Sequence, residues 1–87
     1  MVSYSLFLKP SAGKELESVG SKTDRQKIVA KIQALAQHPR PRGSEKLAGY
    51  DDRYRIRQGN FRVVYLINDR ASAVTIFKIG HRREVYR

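Results

Sequence analysis

The sequence predicts a single α+β domain over residues 1–87, in the order β-α-α-β-β-β, with a helical hairpin packed on a mainly antiparallel sheet. Three observations carry this prediction. Residues 2–8 and the later runs 53–58, 61–67 and 73–79 have the strand-like alternation of a half-buried sheet. Between the first and second of these runs, apolar residues recur at helical spacing. Gly59-Asn60 then separates two strand-like runs as a two-residue hairpin signal.

In the first strand, Val2, Tyr4, Leu6 and Leu8 share one face, and Ser3, Ser5 and Phe7 share the other. Pro10 suits the first turn of a helix, whose stripe is Ala12, Leu16 and Val19, and Gly20 stops it. Thr23 with Gln26 reads as a capping box, and Asp24 places negative charge at the positive end of a second helix. Ile28, Ile32 and Leu35 form its apolar stripe, widened by Val29 and Ala36, with Lys27 and Lys31 toward solvent. Pro39 ends it, because the residue before a proline is pushed out of the α region. His38 through Ser44 is a basic, turn-forming loop that leads toward the three later strands, and residues 68–72 connect the last two.

Composition narrows the function. The net charge is +10, which favours nucleic acid, an anionic membrane or an acidic protein as partner. Eight of the eleven arginines lie from Arg53 onward, whereas five of the seven lysines precede Arg40. A guanidinium is a planar fork suited to phosphate, so phosphate recognition is expected in the second part. No apolar run approaches a membrane span, and the N-terminus lacks the cationic lead of a signal peptide. With no cysteine there is no thiolate site, which fits a reducing cytoplasm. His38 and His81 stand apart from any carboxylate cluster, so neither a metal nor a cofactor is expected.

With Gly59-Asn60 as the turn, Arg57 faces Arg62, Ile56 faces Val63, Arg55 faces Val64 and Tyr54 faces Tyr65. Arg53, Arg55, Arg57 and Arg62 then share one face, while Tyr54, Ile56, Val63, Tyr65 and Ile67 share the face that packs on the helices. A wet sheet face ordinarily mixes signs, yet these two strands carry four arginines there and no acid. Arg57 opposite Arg62 is a like-charge pair that costs stability unless an anion bridges it. Just past the last strand, Arg82, Arg83, Tyr86 and Arg87 extend the cationic set, with His81 beside them.

Lys46-Leu47-x-Gly49, Tyr54-Arg55-Ile56-Arg57, Gly59-x-Phe61-Arg62-Val63-Val64-Tyr65 and Ile79-Gly80-His81-Arg82-x-x-Val85-Tyr86 together resemble the RelE/ParE superfamily of bacterial toxin–antitoxin toxins. The resemblance spans the chain. It implies a type II toxin and, on the RelE side, an endoribonuclease that cuts mRNA in the ribosomal A site without metal and so arrests translation. On the ParE side it implies a DNA gyrase inhibitor that cuts no RNA. The hairpin is common to both; the Arg82 to Tyr86 terminus favours the nuclease.

Carried over by motif, the catalytic residues implied are Arg55, Arg57, Arg62, Arg82 and Tyr86. Lys46, Arg53, His81, Arg83 and Arg87 are implied as further RNA contacts. Arg62 and Arg82 would clamp the scissile phosphate, Arg55 and Arg57 would stabilise charge, and Tyr86 would stack on a base or transfer a proton. Some RelE-type nucleases carry lysine where this chain has Arg55 and Arg57. Guanidinium is a poor proton donor, so proton transfer falls to Tyr86, His81 or water. The resemblance also implies an acidic, RelB-like antitoxin as partner in a hetero-oligomer, the ribosome as the place of action, and operator DNA reached only through the antitoxin. Compared with some relatives, the sequence as read to Arg87 is expected to be without their extra C-terminal helix.

Overall fold

The computed structural model describes residues 3–81. Its elements are β1 (Ser5–Leu8), α1 (Pro10–Glu17), α2 (Lys22–Ala34), β2 (Glu45–Lys46), β3 (Arg53–Gln58), β4 (Phe61–Asn68) and β5 (Ala73–His81). The strands form one mixed sheet in the order β1-β5-β4-β3-β2, antiparallel except where β1 runs parallel to β5. This is the expected α+β architecture with one strand added. The added strand, β2, is two charged residues long, too short for any apolar alternation to announce it.

Local chemistry explains the ends of the elements. Pro10 opens α1, as its fixed φ and missing N–H allow. The cap of α2 differs from the expected capping box: Ser21 Oγ accepts from the Asp24 N–H at 3.2 Å, so the helix starts before Thr23. Ser21 offers the same hydroxyl chemistry two residues earlier, and Asp24 still lies in the first turn. The helix ends at Ala34, short of Pro39, and residues 35–37 continue as a turn. In the β3–β4 hairpin only Gly59 has positive φ (+60°), a conformation that glycine adopts without penalty.

Ala12, Val19, Ile28, Ile32 and Leu35 come from the helical half of the core. Ile56, Val63, Tyr65, Ile67, Val74, Ile76 and Ile79 come from the sheet. Alternation in β3, β4 and β5 thus sends one apolar set to the helices and leaves the other face open. A bulge interrupts the β4–β5 ladder: Val64 pairs with Lys78 but Tyr65 with Ile76, so Phe77 is the extra residue. β1 reaches only as far as Ile76, and just beyond it the Ile79 N–H donates to Glu15 Oε1 at 3.1 Å. A backbone donor at an unpaired edge is thereby satisfied from α1.

The basic loop after α2 is tied to the sheet. Arg40 forms a two-pronged contact with Asp69 (2.8 and 3.3 Å), and its Nε donates to the Tyr54 hydroxyl at 3.1 Å. Tyr4 donates to the same carboxylate at 2.6 Å, and the Tyr65 hydroxyl donates to the Pro39 carbonyl at 2.8 Å. Burial pushes the Tyr65 phenol up to about 12. These contacts fix where the loop ends and therefore where β2 begins.

Candidate nucleic-acid interface

The β3–β4 register has Arg57 opposite Arg62, Arg55 opposite Val64 and Arg53 opposite Leu66. Arg53, Arg55, Arg57 and Arg62 therefore lie on one face, the one away from the helices. They are not equivalent. Arg57 is exposed, whereas Arg62, on central β4, is only 2% exposed. Val64 is buried on the same face, so the guanidiniums stand over an apolar floor.

β2 brings a residue that periodicity does not reveal. Glu45 pairs in register with Arg55, and its Oε2 lies 2.5 Å from the Arg55 Nη2. The hydrogen bond from Arg55 holds the Glu45 carboxyl below its ordinary range, with smaller help from the positive charges of Arg55, Arg57 and Arg62. The face whose only charges from two strands are cations thus receives a carboxylate from a third. The readable signal is Gly49, whose φ of +84° makes the turn that returns the chain from β2 to β3.

The remaining expected residues divide by face. Lys46 pairs with Tyr54, which places it on the helix side of the sheet, away from the arginines. His81 pairs with Phe61 and meets that ring edge-on at 5.9 Å; it borders a cleft with Lys14, Ser18 and Val19, also on the helix side. Arg53 stays on the open face, 4.2 Å from the Tyr50 ring and 4.8 Å from Phe77. Tyr50 and Phe77 were not among the residues the sequence singled out. Arg82, Arg83, Tyr86 and Arg87 lie outside the described residues. Among the described residues no cluster of His, Asp or Glu suits a metal ion, and no helix is long and apolar enough to cross a membrane.

A mixed sheet with helices on one face and arginines on the other is the α+β fold of RelE toxins. The family described as ParE toxin of type II toxin-antitoxin system, parDE, matches residues 6–86, and the chain belongs to that family. The isolated RelE toxin of E. coli is 31% identical, with a TM-score of 0.80 over 97% of this chain and 92% of that one. The archaeal RelE–RelB complex from Pyrococcus horikoshii OT3 gives 28% identity and a TM-score of 0.82, covering 92% of this chain and 96% of that one. The RelBE2 toxin–antitoxin complex of Mycobacterium tuberculosis shares the fold at 23% identity and a TM-score of 0.80, over 93% of this chain and 100% of that one. No curated protein matches the sequence significantly.

Proposed function

We propose that this toxin is a ribosome-dependent, metal-independent endoribonuclease that cuts mRNA in the A site and arrests translation in the cytoplasm. The observation that carries the reading is the row Arg53, Arg55, Arg57 with Arg62 across from Arg57, all on the open face of the sheet. The RNA 2′-OH attacks the adjacent phosphorus, a P–O bond forms, and the bond to the 5′-oxygen breaks. The products are a 2′,3′-cyclic phosphate and a 5′-hydroxyl, so one proton leaves the nucleophile and one reaches the leaving oxygen. Exposed Arg57 contacts the phosphate, buried Arg62 across from it adds a fixed positive field, and Arg55 offsets negative charge that grows in the transition state. Guanidiniums do not exchange protons at neutral pH, so the proton steps fall to Tyr86 or water; His81, the third candidate from the sequence, lies on the helix side of the sheet, away from the arginine face. Arg82 completes the clamp, and Arg53, Arg83 and Arg87 add electrostatic contacts to the RNA; Lys46, on the helix side, adds only to the overall positive field.

An acidic, RelB-like antitoxin opposes this activity by covering the cationic surface in a toxin–antitoxin hetero-oligomer, and operator DNA is reached through the antitoxin. The family match itself favours a second reading, a ParE-like gyrase inhibitor that leaves RNA intact. Mapping 5′ ends of messages after brief induction separates the two. In-frame cuts at A sites support the nuclease; intact messages with DNA-damage signalling support the gyrase inhibitor. Arg57 is exposed, so Arg57→Ala combined with Arg82→Ala should leave the melting temperature near that of the parent and abolish arrest. Full toxicity in that double variant would remove the phosphate clamp from the mechanism.

A further inference from the structure

The open face has a second half that the phosphate clamp does not use. The row Arg57, Arg62 and Gly80 crosses the sheet at one end; Arg53, Leu66, Thr75 and Phe7 cross it at the other. Four residues along β3 separate the two rows, roughly 13 Å at the rise of a strand. At the second row the side chains form a series that alternates cation and ring. Lys9 Nζ lies 4.2 Å from the Phe77 ring centre, Arg53 lies 4.8 Å from that ring, and Arg53 lies 4.2 Å from the Tyr50 ring. The bulge makes this possible, because Phe77 is the residue it leaves outside the regular ladder.

Two details show that the series ends unfinished. Tyr50 is 47% exposed, and among the described residues its ring meets only Arg53. Arg53 makes no ion pair among the described residues, and its Nε is buried without an acceptor. Phe7, in the same row, is 56% exposed. Exposed rings beside uncompensated cations suit a planar, electron-rich group better than an aliphatic one.

We propose that Tyr50, Arg53 and Phe77 form a stacking subsite for one unpaired RNA base, on the strand whose phosphate is held at Arg57. This rests on the reading of the open face as an RNA surface. The base stacks ring on ring against the outer face of Tyr50, whose other contact is the Arg53 guanidinium. Asp51 and Asp52 follow Tyr50 directly and repel phosphate, so the sugar–phosphate chain keeps to the arginine row and only the base reaches the ring. Stacking tolerates any base, so the subsite adds grip without adding a sequence requirement.

The test uses 2′-O-methyl oligoribonucleotides, which lack the attacking hydroxyl, with 2-aminopurine scanned through successive positions. Wild type and Tyr50→Phe should quench the fluorophore at one position. Tyr50→Ala should abolish the quenching and weaken binding at least about five-fold. An abasic residue at that position should weaken wild type to the same degree. Tyr50 is exposed, and an unchanged melting curve for Tyr50→Ala confirms that folding is not the cause. Equal binding and fluorescence for wild type and Tyr50→Ala overturn the proposal, as does failure of wild type to bind. Loss of antitoxin affinity alone in Tyr50→Ala also overturns it and assigns the patch to an acidic peptide. Failure of the nuclease reading registers separately, as uncut message in a translating extract, and leaves the stacking measurement interpretable.

Discussion

Glu45 decides how the arginine face behaves before any nucleic acid arrives. Its carboxylate lies 2.5 Å from Arg55 and is held below the ordinary carboxylate range, so it is charged at neutral pH. A phosphate approaching Arg55 meets a site already shared with an anion. Glu45→Gln removes that competition and keeps the shape of the side chain. Its expected effect is tighter binding of a 2′-O-methyl oligonucleotide at low salt, by up to about five-fold, the order of one exposed ion pair. Fluorescence anisotropy across a salt series measures it, and unchanged or weaker binding would show that the carboxylate does not compete. Arg62 differs in kind from its neighbours. A charge with 2% exposure is held in place by its surroundings, so it contributes a fixed field where Arg57 contributes a movable one.

At the scale of elements, the hairpin sets the spacing of the cations. Gly59 has φ +60°, and a Cβ built on it meets nothing within 4 Å. Gly59→Ala therefore tests the backbone alone, with an expected loss of about 1–3 kcal/mol from strain. Urea denaturation should show a lower midpoint with an unchanged slope. The hairpin was legible in sequence because turn chemistry and alternation agree there, and so the pairing of Arg57 with Arg62 was legible too. β2 was not, since Glu45 and Lys46 have no apolar pattern and owe their pairing to the loop that Arg40 and Tyr65 hold down. The cap of α2 was misplaced because Ser21 and Thr23 carry the same hydroxyl chemistry, and only the path of the chain chooses between them. The series Lys9, Phe77, Arg53 and Tyr50 joins four segments across a bulge, and neither period two nor helical spacing encodes a bulge.

Across the whole molecule, Asp69 links the first strand, the basic loop and the β4–β5 turn through Tyr4 and Arg40. Hydrogen bonds from Arg40 and then Tyr4 lower its carboxyl below the unfolded value of about 3.9. A depressed folded pKa gives stability that is complete above the unfolded value and is lost as pH falls through the folded one. Melting temperature should therefore hold level above about pH 5 and decline below about pH 4. Asp69→Asn should lower the plateau and flatten the decline; a profile parallel to the parent would exclude this carboxylate as the cause. The parallel pairing of β1 with β5 has a different consequence, in time. Ser5–Leu8 find their partners only at residues 73–76, so most of the chain must be synthesised before the sheet can close. The β3–β4 hairpin closes on contacts local in sequence, whereas the first strand must wait for residues 73–76. The arginine-bearing hairpin can thus form on local contacts, while the sheet that steadies it closes only when two segments roughly seventy residues apart meet.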